Sequence, residues 1–169
     1  MAQALILMRH AKSAWPIGTG DKSRPLASRG RRDAPAAGVW IAGHCREPDI
    51  VLVSPAVRTQ ETWQLVNSKL DVSADRVATD DRLYAASWWD LLDVIRSTAR
   101  DCETLMLVGH NPGTEDLADE LVGSGDPKLI RQMRTKFPTA GVAVLSSENP
   151  WTTWGSDVAH LDAFRVPRG

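Results

Sequence analysis

The chain has 169 residues, the length of one ordinary domain, and 43% of them are hydrophobic against 24% charged. This composition is typical of a soluble globular protein and excludes collagen-like, intrinsically disordered and disulfide-scaffold proteins. Twenty lysines and arginines against 21 aspartates and glutamates leave a formal net charge of −1. Because no overall positive field attracts nucleic acid or anionic lipid, we expect neither as a partner, and any anion site must be built locally.

Short apolar runs and helically spaced apolar residues alternate along the chain. Apolar and polar residues do not alternate in these runs, as they would in a strand with one solvent-exposed face. This indicates a sheet covered on both faces. In chain order the patterns predict a strand at 4–8, a helix at 34–41, a strand at 50–53, helices at 63–70 and 88–95, a strand at 105–108, helices at 117–121 and 128–136, and strands at 141–145 and 158–166.

This order of elements predicts an α/β fold, namely a three-layer α/β/α sandwich with a mainly parallel sheet, formed by a single domain over residues 1–169. Ser54 and Pro55 predict the start of the second helix, with Ser54 as its N-cap and the proline in its first turn. Residues 18–21 and 123–127 are expected to form loops near the functional edge of the sheet.

The cysteines and the N-terminus predict a cytoplasmic protein. Cys45 and Cys102 have neither the spacing of a redox motif nor enough partners for a zinc cluster, which favours two reduced thiols. The N-terminal apolar run is too short for a signal peptide or a membrane span. We therefore expect no contact with a membrane.

Polar or basic residues follow three of the predicted strands. The first run ends in Arg9 and His10, the second is followed by Ser54 with Arg58 one helical turn later, and the third ends before His110. In sheets of this kind ligands bind outside the carboxyl ends of the strands. The sequence therefore predicts that two arginines and two histidines meet at one edge.

This set of residues suits a phosphoryl group. Guanidinium groups bind its oxygens in bidentate fashion and stay charged at any working pH. A neutral histidine can attack phosphorus and form a covalent phosphoenzyme that water later hydrolyses. The arginines, the second histidine and the N-terminus of the second helix would stabilise the equatorial oxygens, so no metal or other cofactor is expected.

Three motifs in this order resemble the histidine phosphatase superfamily, also called the phosphoglycerate mutase-like fold. They are RHAKS at residues 9–13, SPAVRTQET at 54–62 and GHNPG at 109–113. The short chain, Arg24-Pro25-Leu26 with Gly30, and the segment KFPT at 136–139 look most like SixA-type phosphohistidine phosphatases.

The resemblance implies roles for seven residues. His10 would be the nucleophile, Arg9 and Arg58 would bind the phosphoryl group, and His110 would be the second histidine of the phosphate site. Lys12, Ser13 and Arg24 would bind substrate at the rim, although each could also be a solvated loop residue. The implied partner is a protein that carries phosphohistidine, or a small phosphorylated substrate.

The sequence departs from the family pattern where other branches carry an acid or a phosphate ligand. Ala11 replaces a glycine and Pro16 replaces an asparagine of the mutases, whose glutamate proton donor is replaced in the stretch LYA at 83–85. Asn111 stands where the acid phosphatases have aspartate. An alkoxide leaving group needs a proton in the transition state, whereas imidazole leaves more easily.

A site without an obvious acid therefore favours a P–N bond over an alkyl phosphate, unless Asp21, Glu115 or Asp116 enters it from a loop. Three alternatives stay open at this point. The chain could hydrolyse a small metabolite or nucleotide, or it could be a phosphate-binding or phosphoprotein-binding module without turnover. The two histidines could instead bind zinc, although the adjacent arginines would repel a cation and no third ligand is evident.

Overall fold

One sheet forms the centre of the molecule in this computed structural model, which describes residues 2–99 and 101–169. Within these residues its strands are β1 (Gln3–Arg9), β2 (Ile50–Val53), β3 (Val77–Thr79), β4 (Thr104–Gly109), β5 (Val122–Gly125), β6 (Val142–Ser147) and β7 (Ala159–Arg165). Their order across the sheet is β3-β2-β4-β1-β6-β7-β5.

The sheet is mainly parallel, as the sequence predicts. β3, β2, β4 and β1 run parallel to one another, and so do β5 and β7. β6 is antiparallel to both of its neighbours, β1 and β7. In the register of β1 with β4, Arg9 pairs with Gly109, so the two strands end side by side.

Helices cover both faces of the sheet. They are α1 (Ser28–His44), α2 (Val57–Leu70), α3 (Trp88–Thr98), α4 (Gly113–Leu121) and α5 (Pro127–Thr135). Ile6 and Met8 of β1 pack in one apolar cluster with α1 and α2, while Leu5 and Leu7 pack in the other with α3, α4 and α5. This arrangement confirms the three-layer sandwich, because both faces of β1 are buried.

Two short strands were not expected from the sequence. β3 has three residues, of which two are exposed, and it lies at one edge of the sheet. β5 lies at the opposite edge, so the prediction of a loop at 123–127 is wrong. A strand of sequence VGSG lacks an apolar pattern, and Gly123 is needed because an added Cβ would lie 2.1 Å from the carbonyl oxygen of Asp157.

The predicted start of α2 is also wrong. The helix begins at Val57, and its N-cap is Ala56, which offers no side-chain hydrogen bond. Ser54 lies two residues before that cap, and its hydroxyl binds a residue of another loop. No helix in the described part of the chain is long and apolar enough to span a membrane.

Candidate active site

The carboxyl ends of β1, β2 and β4 bring the predicted site residues to one edge of the sheet. The backbone N–H of His10 donates to Gly109 at 3.0 Å, and that of Ser54 donates to Val108 at 3.1 Å. The rings of His10 and His110 lie 5.3 Å apart between their centroids. These short links follow from the parallel strand order.

A cleft of about 780 Å³ opens at this edge. All seven residues that the sequence predicted for the site line it, namely Arg9, His10, Lys12, Ser13, Arg24, Arg58 and His110. They come from the carboxyl end of β1, from the segments that follow β1 and β4, and from the first turn of α2. Four cationic side chains and two imidazoles therefore line the cleft together with one carboxylate, although the whole chain is close to neutral.

His10 is buried and held in one tautomer. Its Nδ1 lies 2.7 Å from the carbonyl oxygen of Ala11, which can only accept, so Nδ1 carries the proton. Burial lowers the pKa of His10 to about 3, and the neighbouring His110 and Arg58 also lower it. The imidazole is therefore neutral, with its Nε2 lone pair available as a nucleophile.

His110 forms a hydrogen bond with Ser54 through its Nε2 atom. The hydroxyl of the fully buried Ser54 lies 2.7 Å from Nε2 of His110. Burial and then the charge of Arg58 lower the pKa of His110 to about 4. His110 is therefore also neutral, and Ser54 fixes the orientation of its ring.

Both arginines present unused donors. Arg58 is buried and donates to the backbone oxygen of Asp21 at 2.6 Å and to its carboxylate at 3.1 Å. Arg9 donates to the carbonyl oxygen of Phe137 at 3.1 Å. The Nε groups of both arginines are buried and have no partner in the described part of the chain. Arg58 is buried and Arg9 is half-buried, and guanidinium groups with unsatisfied donors favour an anionic ligand.

Asp21 is the carboxylate that lines the cleft. It accepts hydrogen bonds from the Tyr84 hydroxyl at 2.7 Å and from Arg24 and Arg58 at 3.1 Å each. The Tyr84 hydroxyl and these two arginines hold the pKa of Asp21 far below its usual range. Asp21 in turn raises the pKa of Tyr84. Asp21 is therefore an ionised residue that orients Arg58, and it has no proton to give at neutral pH.

The other two acids that the sequence offered lie outside the cleft lining. Glu115 accepts a hydrogen bond from the side chain of Asn111 at 2.9 Å, and burial raises its pKa. Asp116 is exposed in the first turn of α4. Neither residue lines the cleft, although the charge of Arg9 acts on Glu115 and lowers its pKa against the larger effect of burial.

The rim residues differ in their environment. Lys12 is exposed, whereas Ser13 and Arg24 are buried. Arg24 donates to the carbonyl oxygen of Ala14, to Asp21 and to the hydroxyl of Ser13. The reading of Ser13 and Arg24 as solvated loop residues is therefore wrong, and much of the donor capacity of Arg24 is used within the protein.

The sequence does not reveal three contacts in the cleft: Ser54 with His110, Tyr84 with Asp21, and Trp15 with Arg24. Ser54 followed a strand just as His10 and His110 do, and that position was a usable signal. Tyr84 is the one tyrosine of the sequence, but its bond to Asp21 joins residues 63 positions apart. Among residues 2–99 and 101–169, no group of three or more His, Cys, Asp or Glu side chains could hold a metal ion.

Comparison with known proteins places this site in a family. The model of the histidine phosphatase superfamily (branch 1) matches residues 5–101. An uncharacterized protein of Mycobacterium tuberculosis (strain ATCC 25618 / H37Rv) is 39% identical over 163 residues, which cover 95% of this chain and 100% of that protein. A phosphohistidine phosphatase SixA homolog of Haemophilus influenzae is 29% identical over 133 residues, covering 73% of this chain and 79% of that protein.

A solved structure shows the same fold. The candidate phosphohistidine phosphatase SixA from Nakamurella multipartitia superposes with a TM-score of 0.86 at 31% identity, covering 99% of this chain and 97% of that one. The predicted phosphoglycerate mutase-like α/β class is thereby confirmed. The extent of the family match and the full-length similarity show that the chain belongs to the histidine phosphatase superfamily, branch 1.

Proposed function

We propose that this protein is a metal-independent phosphatase that transfers a phosphoryl group to His10 and then to water, and that its substrate is phosphohistidine in a protein. The observation that carries the proposal is the neutral, buried His10, whose Nδ1 is bound to Ala11 so that Nε2 is free. The family membership and the SixA-like relatives support a phosphatase.

In the first step, the lone pair on Nε2 of His10 attacks phosphorus while the bond from phosphorus to the leaving nitrogen breaks. The leaving imidazole takes the electron pair of that bond and a proton from water. Arg9 and Arg58 bind the equatorial oxygens, where the transition state concentrates charge. Both arginines line the cleft that would hold the phosphoryl group.

In the second step, water attacks phosphorus and the bond to Nε2 of His10 breaks. The water oxygen stays on phosphorus, and its protons are released to the phosphate and to solvent. His10 returns to the neutral tautomer, because the carbonyl of Ala11 keeps the proton on Nδ1. The same two arginines stabilise both steps, so the protein has no need to rearrange between them.

The protonation states of the acidic residues in the cleft indicate which kind of leaving group the site can release. Asp21 is ionised because Tyr84, Arg24 and Arg58 donate to it, and the pKa of Tyr84 is raised above its usual value. Asp21 therefore has no proton for a departing alkoxide, and the Tyr84 hydroxyl, which keeps its proton, donates it to Asp21 at 2.7 Å. Imidazole needs far less help, since its conjugate acid has a pKa of about 6.5. This difference favours a P–N bond in the substrate.

The substrate class is tested by comparing turnover of a phosphohistidine peptide with that of a phosphoserine peptide of the same sequence. We expect kcat/KM for phosphohistidine to be at least about a hundredfold higher, since general acid catalysis is worth about 10²–10⁴-fold to a poor leaving group. His160→Ala serves as a control, because His160 is exposed on β7 outside the cleft. Equal or faster turnover of phosphoserine would show that the proposed substrate is wrong.

A further inference from the structure

Trp15 is a large apolar side chain left open to solvent on the wall of the cleft. Its relative exposure is 73%, although many other tryptophans of the chain pack inward. The guanidinium carbon of Arg24 lies 3.2 Å from the centre of its ring, so Arg24 covers one face of the indole. Because that face is covered, the exposed surface belongs to the other face and the ring edges.

Several hydrogen bonds hold Arg24 in this stack. Arg24 is buried, and its guanidinium donates to Ala14 at 3.1 Å, to Asp21 at 3.1 Å and to Ser13 at 2.5 Å. The backbone N–H of Ala14 donates to Pro25 at 2.8 Å, which ties the residue before Trp15 to the segment after Arg24. The indole is therefore held in place before any ligand arrives, which lowers the entropy cost of a stacking contact.

The stack is joined to the phosphoryl-binding arginine by one carboxylate. Asp21 accepts from Arg24 through one oxygen and from Arg58 through the other, at 3.1 Å in both cases. All four of these side chains line the same cleft. If Arg58 binds the phosphoryl group of a substrate, the rest of that substrate lies in the same cleft that Trp15 lines.

We propose that the open face of Trp15 stacks on an aromatic ring carried by the leaving group of the substrate. The inference rests on the function proposed above, in which that ring is the imidazole of phosphohistidine. Trp15 then acts as a specificity-determining residue: it binds the ring and leaves the chemistry to His10. A planar ring gains both apolar burial and a stacking contact, whereas a leaving group without a ring gains neither.

Binding of nonhydrolysable phosphonates tests the stacking directly. We expect Trp15→Ala to weaken phenylphosphonate about threefold to tenfold in calorimetry and to leave methylphosphonate unchanged, while Trp15→Phe keeps most of the affinity. Trp89→Ala is the matched control, because Trp89 is 57% exposed yet does not line the cleft. It should change neither affinity.

Turnover then identifies the ring. For a phosphohistidine peptide, Trp15→Ala should raise KM by a similar factor with kcat little changed, and for phosphoramidate, which has no ring, both constants should stay the same. An equal loss for ring-bearing and ringless ligands would overturn the proposal, because Trp15 would then act only by holding Arg24. No loss for either would overturn it as well.

The two proposals fail in different ways. If the phosphohistidine peptide is not hydrolysed but Trp15→Ala still weakens phenylphosphonate selectively, the stacking is supported and the proposed substrate is wrong. If the peptide is hydrolysed and Trp15→Ala affects no ring-bearing ligand selectively, the proposed function stands and the stacking is wrong.

Discussion

At the scale of single residues, the cleft keeps its two histidines neutral by burial. The pKa of His10 is lowered to about 3 and that of His110 to about 4, mainly because burial disfavours the charged ring. His10 therefore has a free lone pair at Nε2 well below neutral pH. We therefore do not expect protonation of His10 to lower the rate of phosphoryl transfer as the pH falls through 6.5.

The same burial makes stability depend on pH. The folded-state pKa of His10 is about 3, whereas the ordinary pKa of histidine is 6.5, so between these two values the unfolded chain binds a proton that the folded chain does not. The free energy of unfolding therefore falls as the pH drops through this window. We expect the titration of His10 to make the free energy of unfolding about 2 kcal/mol lower at pH 5 than at pH 7. Urea denaturation at the two pH values measures this difference.

The control is His10→Gln, whose amide can still donate to Ala11 but does not titrate. Carboxylates such as Asp21 contribute to both proteins alike, so the difference between the two pH profiles isolates the histidine. The variant should lose less stability than the parent between pH 7 and pH 5. Parallel profiles would contradict the account of a buried neutral His10.

The sequence was informative about residues that follow strands and less so about their partners. Arg9, His10 and His110 were found because the ends of parallel strands meet at one edge. The role predicted for Ser54 was wrong, because a serine near a helix start can cap the helix or bind elsewhere, and the sequence does not distinguish these uses. The bond from Tyr84 to Asp21 leaves no local pattern at all.

At the scale of elements, α1 holds the loop that follows His10. The backbone N–H of Ala27, the N-cap of α1, donates to the carbonyl oxygen of Lys12 at 2.8 Å. Gly30 lies against the same carbonyl, where an added Cβ would stand 2.2 Å from the oxygen. The first turn of α1 and the segment after His10 are thus in backbone contact.

This contact predicts a large effect of Gly30→Ala. Alanine favours a helix over glycine by about 1 kcal/mol, but here its methyl group meets backbone that cannot rotate away. We expect a net loss of about 1–3 kcal/mol in the free energy of unfolding, measured by chemical denaturation. We also expect lower activity, because Lys12 and His10 must shift with the loop.

Gly43→Ala in the same helix is the matched control. Apart from its chain neighbours and the backbone of its own helix, no atom in the described part of the chain lies within 4 Å of its added Cβ, so the main change is in helix propensity. This variant should be unchanged or more stable by up to about 1 kcal/mol. If Gly30→Ala were as stable as Gly43→Ala, the proposed contact between α1 and the loop would be wrong.

The elements that the sequence predicted are those with long apolar patterns. Strands β1, β2, β4 and β6 are buried and continuous, and their signal is strong. β3 and β5 lie at the two edges of the sheet, where few neighbours demand apolar side chains. Their pairing is set by the strands beside them, and local composition carries little of that information.

At the scale of the whole molecule, the strand order collects positive charge in one cleft, although the overall composition is nearly neutral. The chain has a formal net charge of −1, yet the order β2-β4-β1 brings Arg9, Arg58 and Lys12 to one cleft. Asp21 is ion-paired to Arg58 and Arg24 in that cleft. The fold class and the edge that carries the site followed from the sequence, whereas the cleft wall depends on loops that only the structure shows.

The most direct test of the account is detection of a phosphoenzyme. The protein is mixed with phosphoramidate in the presence of a chelator, quenched, and examined by intact mass, with His10→Ala and His160→Ala alongside. We expect a transient species heavier by one phosphoryl group in the parent and in His160→Ala, and none in His10→Ala. Hydrolysis of phosphoramidate that persists in His10→Ala would contradict His10 as the nucleophile.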